Sequence, residues 1–409
     1  MLGGGEISAG LMAKNLARRG MDVSVLTSCF NGSKEFEVVD GVKIYRRLET
    51  GKSPESLFSN MRRALMFSDS VKRELVKLDK EQFFDIIHSV NITSLVGVAG
   101  AKKKIGKPSI AHINSPTPFC PRGILLRGDR ECSRRCNFAR FSRCLREFGM
   151  VSKMKTPFYL SYNPFFAFLV YRNFEMKRDA LKKFDYFIPI STFMKKLLLE
   201  EGVPKERMEV IPNIVETEKF LSVKNEEHAV PRILYLGPYA EFKGPQILLS
   251  ALLLLEAEYE CDLYGKGYFE EKLKDIVKEK GLKNVRINPE VPYIEVPRIY
   301  QGHDILVFPS LVSEAFGRVA IEAMASGKPV IASRIGGVTD IVEDGKSGLL
   351  VAPGDAAGLT EALERLISDA GLRERMGREG RRVAAERYTA DAVTHRVIGV
   401  YGKLAGAGR

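Results

Sequence analysis

The segment Asp304 to Arg334, DILVFPSLVSEAFGRVAIEAMASGKPVIASR, constrains the fold more than any other part of the chain. Its apolar run Ile305 to Phe308 suits a strand buried on both faces, and Pro309 and Ser310 end it. A loop carrying Glu314 follows. Small and apolar residues from about Gly317 to Ser326, with Glu322 among them, then predict a helix that Gly327 stops. A second apolar run begins at Val330. The order is strand, loop, helix, strand, and a ligand is expected at the loop.

Residue types define what that loop can bind. The backbone N–H groups around Phe316, Gly317 and Arg318 lie where a helix begins, without partners inside the helix and at the positive end of its dipole. Gly317 admits a close backbone approach. Such a site suits a diphosphate. Glu314 and Glu322 can each accept hydrogen bonds from paired hydroxyls, the way nucleotide sites hold a ribose. Two carboxylates flanking an anion site imply a nucleoside diphosphate sugar. For an isolated pair of glutamates the better reading is two solvent-facing ends of an ordinary α/β unit, and the neighbouring residues reverse that preference.

EAFGRVAIE with its two glutamates, followed by AMASGKPVIAS and the paired glycines of RIGGVTDIVEDGKSGLLV, resembles the donor site of glycosyltransferase family 4. These are retaining enzymes of the GT-B fold, and the resemblance extends over essentially the whole chain. It implies an α/β protein of two doubly wound Rossmann-like domains facing across a cleft, with a C-terminal helix crossing back to the first. It implies that Glu314 holds hydroxyls of the donor sugar, that Glu322 holds the ribose, and that the backbone of Phe316 to Arg318 faces the diphosphate. Lys243 matches the family's phosphate-contacting lysine, and Pro238 stands where the family usually has an arginine. Arg318 or Arg334 would have to replace that charge. No obligatory metal is implied; the donor would be a UDP- or GDP-sugar.

Domain boundaries follow from the same pattern. Residues 1–212 are expected to form the N-terminal, acceptor-side domain, 213–228 a linker, 229–388 the donor domain and 389–409 the crossover helix. A chain of 409 residues is too long for one ordinary core, which agrees with two domains. Gly3, Gly4 and Gly5 precede a helix expected from about Ile7 to Arg19, and Gly4 and Gly5 are candidates to cradle the donor phosphate. Family members place a strand before this turn. Here the glycines stand at the start of the sequence, so a first domain with open hydrogen-bonding strand edges is expected. Val38 to Tyr45 reads as one extended segment. His112, at the end of the strand from Ser109, corresponds to a family histidine near the transferred sugar, and a structural role is about equally open to it.

The first half has features of its own. Residues 1–190 hold 33 Lys and Arg against 18 Asp and Glu, whereas residues 191–409 hold 30 against 33, so an anionic partner would meet the first half. No nucleic-acid-binding motif accompanies that charge. The insert Phe119 to Arg146 gathers Cys120, Cys132, Cys136 and Cys144, candidate ligands of a structural Zn²⁺, the alternatives being packed or free thiols, or thiols with lowered pKa beside arginine. Thr156 to Tyr171 is aromatic and apolar, flanked by Lys153, Lys155, Arg172, Lys177 and Arg178, and too short to span a bilayer. It suits a membrane interface or a cover over the first core. No apolar run is long enough for a transmembrane helix, no secretory signal is visible, and the cysteine spacing gives no disulfide scaffold. A cytoplasmic protein is expected, peripheral on the inner face of the membrane if the aromatic stretch binds lipid.

The resulting expectation is a retaining hexosyltransferase-type enzyme. It would move a sugar from a nucleotide sugar to a glycan or lipid-linked acceptor hydroxyl, with Glu314, Lys243 and His112 at the reacting centre. A non-catalytic or impaired nucleotide-sugar-binding protein of this fold, and an epimerase or phosphorylase of this fold, remain alternatives. A dehydrogenase is disfavoured because no G-x-G-x-x-G follows a strand in the right context.

Overall fold

The structure, a computed structural model, describes residues 4–29, 32–49, 57–127, 130–132, 136–148, 162–222, 226 and 228–406. Gly3, Lys153, Lys155 and the first part of the aromatic stretch, 156–161, lie outside them. The chain divides into two compact units, one made of the residues up to 212 together with those from 394 onward, the other of residues 213–393.

The first unit begins with α1 (Gly4–Arg18), β1 (Val23–Ser28), β2 (Phe36–Val39), β3 (Val42–Leu48) and α2 (Leu57–Glu81). It continues with β4 (Ile87–Ser89), α3 (Leu95–Ile105), β5 (Ser109–Ile113), β6 (Leu126–Arg127), β7 (Arg130–Glu131), α4 (Phe138–Phe148), α5 (Pro164–Leu181), β8 (Tyr186–Pro189) and α6 (Thr192–Glu200). Its strands fall into separate sheets, β1-β3-β2 and β4-β5-β8, with β6 and β7 paired apart from both. β1 pairs only with β3 and β4 only with β5, so each presents one open edge among the described residues. The end of α2 reaches the first sheet: Gln82 Nε2 donates to Ser24 Oγ at 3.1 Å and Arg47 pairs with Glu81 at 2.8 Å.

Two local readings change. Val38 to Tyr45 is not one strand but the turn of an antiparallel hairpin, β2 to β3, with Asp40 and Gly41 at φ 51° and 80°. Asp-Gly is a strong signal for a two-residue hairpin turn because both positions need positive φ. α1 starts at Gly4 rather than Ile7, so Gly4 and Gly5 form its first turn instead of a loop ahead of it. Within the aromatic stretch, Pro164 opens α5. Asn163 caps the helix by accepting from the N–H groups of Phe165 and Phe166, and proline at the first position needs no donor.

The second unit comprises α7 (Thr217–Leu221), β9 (Arg232–Leu236), α8 (Pro245–Leu252), β10 (Glu260–Tyr264), α9 (Glu270–Glu279), β11 (Val285–Asn288) and α10 (Val296–Gln301). Then come β12 (Ile305–Phe308), α11 (Arg318–Ala325), β13 (Val330–Ser333), β14 (Gly348–Val351), α12 (Ala356–Ser368) and α13 (Ala370–Arg387). Its sheet is a single parallel one, ordered β11-β10-β9-β12-β13-β14. Alternate residues of its strands serve opposite faces. Ile233, Tyr235, Cys261, Leu263, Ile305, Val307 and Ile331 join α8, α9 and α12 in one core, while α11 packs with α13 and α7. Burial on both faces explains why these strands read as unbroken apolar runs. The stretch 213–228, expected as a linker, contains α7, whose fully buried Phe220 lies edge-on to Tyr293 and Tyr300. The last helix, α14 (Ala390–Gly406), leaves the second unit and belongs to the first from Thr394 onward.

Candidate functional site

Chain order in the second sheet reverses between β9 and β12: the strands after β9 run to one side and those after β12 to the other. Such a switch point opens a crevice beyond the carboxyl ends of the two strands. The loop after β9 carries Lys243 and the loop after β12 carries Glu314. Lys243 Nζ donates to Glu314 Oε1 at 2.6 Å, and Ser310 Oγ donates to the same oxygen at 2.6 Å. Main-chain contacts hold the loops together. Leu311 N–H donates to the Phe242 carbonyl at 2.9 Å, and Gly337 N–H donates to the Glu314 carbonyl at 2.7 Å. Gly244 has φ 73° and Gly336 φ 61°, and a Cβ on either would overlap backbone, the Pro309 carbonyl oxygen or Glu314 respectively. Only glycine meets both demands without strain.

Glu322 sits one helical turn inside α11 and is 3% exposed. Its Oε1 accepts from Arg318 Nε at 2.8 Å and from the Tyr293 hydroxyl at 3.1 Å. Burial pushes its carboxyl up, against the opposing pull of Arg318. Arg318 also donates from Nη2 to Tyr293 at 2.5 Å and lies over that ring, while its Nη1 is buried without a partner among the described residues. On each glutamate these hydrogen bonds use Oε1 alone, so Glu314 Oε2 and Glu322 Oε2 accept nothing from the described residues.

The helix start keeps its expected character in part. No side chain caps α11. Packing alone already asks for glycine at 317, since a Cβ there would press on Ile341 and Val338 at 3.1 and 3.3 Å. Phe316 turns into the core, edge-on to Tyr388. Of the two arginines considered as substitutes at Pro238, Arg318 is held through Nε and Nη2 by Glu322 and Tyr293 with Nη1 left over, whereas Arg334 pairs with Asp344 and the Leu350 carbonyl.

In the first unit, His112 lies near the end of β5 and is 3% exposed. Asn114 just beyond it donates to the Val90 carbonyl at 2.9 Å. Gly5 in the first turn of α1 stands close enough that its Cβ would be 3.5 Å from Asn114 Nδ2. Gly5 is thus placed at the carboxyl ends of β4 and β5, beside the strand that carries His112.

Cys120, Cys132, Cys136 and Cys144 are all free thiols of intermediate exposure in the insert. Burial and the three other thiols push Cys136 up to about 12, and burial raises Cys144 although Arg122 Nη1 lies 3.5 Å from its sulfur. The expected lowering beside arginine is therefore reversed at these two, where desolvation outweighs the nearby cation. Among the described residues no group of three or more His, Cys, Asp and Glu is arranged to hold a metal ion, so the thiols as placed do not form the Zn²⁺ site the spacing suggested.

Ser310, Tyr293, His88 and Tyr401 do not stand out in the sequence. Ser310 lies at the carboxyl end of β12, where position alone signals a ligand-facing residue. The other three reach their partners through the tertiary fold and carry no local signal.

Residues 2–219 match the profile of the family described as Glycosyltransferase Family 4, and residues 216–383 that of Glycosyl transferases group 1. The chain is 34% identical over 181 residues to the D-inositol 3-phosphate glycosyltransferase of Corynebacterium diphtheriae, a match spanning 42% of each protein. It is 25% identical over 405 residues to an uncharacterized glycosyltransferase of Methanocaldococcus jannaschii, covering 98% of this chain and 94% of that one. Sucrose-phosphate synthase from Thermosynechococcus elongatus superposes with a TM-score of 0.76 at 19% identity, over 99% of this chain and 94% of that one. Anabaena HepE in complex with UDP superposes with a TM-score of 0.68 at 17% identity, over 98% and 97%. At these identities the two structures share the fold.

Proposed function

The chain belongs to glycosyltransferase family 4, and from that premise we propose that it moves a hexose, with retention, from a nucleoside diphosphate sugar to an acceptor hydroxyl. It is a glycosyltransferase of the GT-B class; donor, acceptor and stereochemistry are our reading of the site. The observation that carries this reading is the pair of carboxylates at and beyond the β9–β12 switch point, each with one oxygen held by protein and one unused. Glu314 Oε2 would accept from a sugar hydroxyl and Glu322 Oε2 from the ribose. Between them in sequence lie the uncapped start of α11 and the unpaired Arg318 Nη1, which favour the diphosphate. A solved neighbour carrying UDP or UDP-glucose supports a uridine nucleotide, with GDP-sugars the alternative.

In the reaction the bond from the anomeric carbon to the diphosphate oxygen breaks and the acceptor oxygen bonds to that carbon. The acceptor proton passes to the departing phosphate oxygen. Lys243 would neutralise the growing charge on the leaving group, a role worth about 100-fold or more in turnover for a preorganised donor. Its salt bridge to Glu314 holds the ammonium in place beforehand.

A thermal-shift screen of UDP, GDP, ADP and their sugars tests the donor site. A ligand at 100 times its dissociation constant stabilises by about 2.7 kcal/mol. A shift that is specific to one nucleotide and lost in Glu322→Ala supports the reading; the same shift in that variant overturns it. A second reading, a protein that binds donor with little turnover, is favoured by Pro238 and by the pairing of Arg334 with Asp344 and the Leu350 carbonyl. Donor binding without sugar transfer to any glycan or lipid-linked acceptor would select it.

The acceptor side points to a lipid surface. Phe138, Tyr162, Phe165 and Phe168 are exposed on or beside α4 and α5, and Arg140, Arg143 and Arg172 are exposed among them. Phe138 and Phe168 meet edge to face at 6.4 Å. Aromatic side chains interleaved with arginines match the interface of an anionic membrane. No helix among the described residues is long and apolar enough to cross one. Sedimentation with anionic liposomes at low salt is the expected result, and a protein left entirely in the supernatant would sink the membrane reading.

A further inference from the structure

His112 belongs to a hydrogen-bonded chain that starts on the last helix. The Tyr401 hydroxyl lies 2.7 Å from His88 Nδ1, and His88 Nε2 lies 3.3 Å from His112 Nδ1. The Tyr401 ring meets His88 edge-on at 5.8 Å, and the two imidazoles lie nearly parallel, 20° apart. All three residues belong to the first unit, although 313 positions separate His88 from Tyr401.

Donor and acceptor counting gives this chain a direction. A tyrosine hydroxyl carries one proton, and among the described residues the Tyr401 hydroxyl has one hydrogen-bond partner, His88 Nδ1. If that nitrogen carried a proton, the tyrosine proton would meet no acceptor among the described residues, and an unmade bond of that kind disfavours the arrangement roughly ten-fold or more. Tyr401 therefore donates to His88 Nδ1. A neutral imidazole that accepts at Nδ1 has its proton on Nε2. His88 is held neutral: burial and the neighbouring His112 push its ring well below the usual imidazole range. Its Nε2–H donates to His112 Nδ1, which leaves the His112 proton on Nε2.

We propose that Tyr401, acting through His88, is a positioning residue that fixes His112 as an Nε2–H hydrogen-bond donor, so that His112 offers the donor sugar an N–H and not a basic lone pair. The part concerning the sugar rests on the reading of His112 as a site residue; the tautomer does not. The relay excludes His112 as the general base of the reaction and assigns it to holding an oxygen of the sugar. It also gives the return of α14 to the first unit a chemical purpose.

The chain has five histidines, so selective ¹⁵N-histidine labelling of the full-length protein and long-range ¹H–¹⁵N correlation at pH 7.5 resolves each ring. The expected wild-type pattern shows both His88 and His112 protonated on Nε2, with each Nδ1 unprotonated. In Tyr401→Phe both rings should become tautomer mixtures. Hydrolysis of UDP-glucose and of GDP-mannose is followed in parallel. For whichever sugar turns over, kcat should fall about ten-fold in Tyr401→Phe with KM within about two-fold, the pattern of a lost orientation rather than lost binding. His88→Gln, whose amide can accept from Tyr401 and donate to His112, should retain more activity than His88→Ala. A wild-type His112 protonated on Nδ1, or unchanged spectra in Tyr401→Phe, would overturn the relay. The wild-type spectrum decides this even if a variant fails to fold or neither sugar turns over. The expected spectra together with full activity in His112→Ala would instead leave the relay standing and overturn the site reading on which the sugar contact depends.

Discussion

The two units use the same strand-and-helix alternation to different ends. The second is one parallel sheet whose loops are locked by backbone: Gly244 against Pro309, Gly336 against Glu314, Leu311 bonded to Phe242. The first has three small sheets, two of them with open edges among the described residues, an excess of positive charge and aromatic side chains left on its surface. If the proposed function holds, the part that would grip a polyanion in one geometry has its loops set by main chain, which has few alternatives, and the part that would meet a variable acceptor presents side chains, which have many. The difference teaches that tolerance to substitution should divide along the same line.

The sharpest test pairs two glycines. Gly244→Ala should destabilise the protein by about 3 kcal/mol, because a left-handed backbone and a carbonyl both oppose the new methyl. Gly10→Ala, inside α1 with nothing within 4 Å of the added carbon, should stabilise by up to about 1 kcal/mol. Equal effects in urea denaturation would break the comparison. Next comes Glu322→Ala, which leaves the Arg318 guanidinium largely buried and without its carboxylate. A loss of about 3 kcal/mol is expected in the same assay.

Lys328 sharpens the contrast by pH. It is 3% exposed, and burial holds its ammonium down from 10.5 to about 8, with Asp304 and Glu226 opposing the shift. The folded state therefore binds fewer protons than the unfolded one between those two values, so stability should rise with pH across that window. Below it the cost of the buried charge is felt in full. Lys328→Met should abolish the rise and stabilise by about 2 kcal/mol at pH 7, read from urea midpoints across a pH series. The smallest expected effect lies on the first unit. Phe165→Ser with Phe168→Ser should leave stability nearly unchanged and reduce sedimentation with anionic liposomes about three-fold, and added salt should do the same to the wild type.

The same division decides what could be read in the sequence. β12 and the start of β13 fall where their residues predict them, because a doubly buried strand is an unbroken apolar run. Lys243 and Glu314 were legible because the motif that carries them also builds the loops. The β2–β3 hairpin had a signal, Asp40-Gly41, that an extended reading passed over. Tyr293 and Tyr401 had none. Each is an ordinary aromatic residue on a helix or turn, and its partner is chosen by packing between distant segments. The four cysteines show the converse, a suggestive spacing that yields no metal-holding group among the described residues.

The return of α14 also orders events in time. A ribosome makes residues 213–393 in full before it makes Thr394 and the rest of α14, yet the first unit includes those later residues. The usual sequence, N-terminal domain folding first, is then inverted for completion. The second unit can finish folding as a nascent chain, while the first must wait with Tyr401 not yet synthesised and His88 without its tyrosine. Any function of His112 that depends on Tyr401 would therefore be completed only after residues 213–393 have been made.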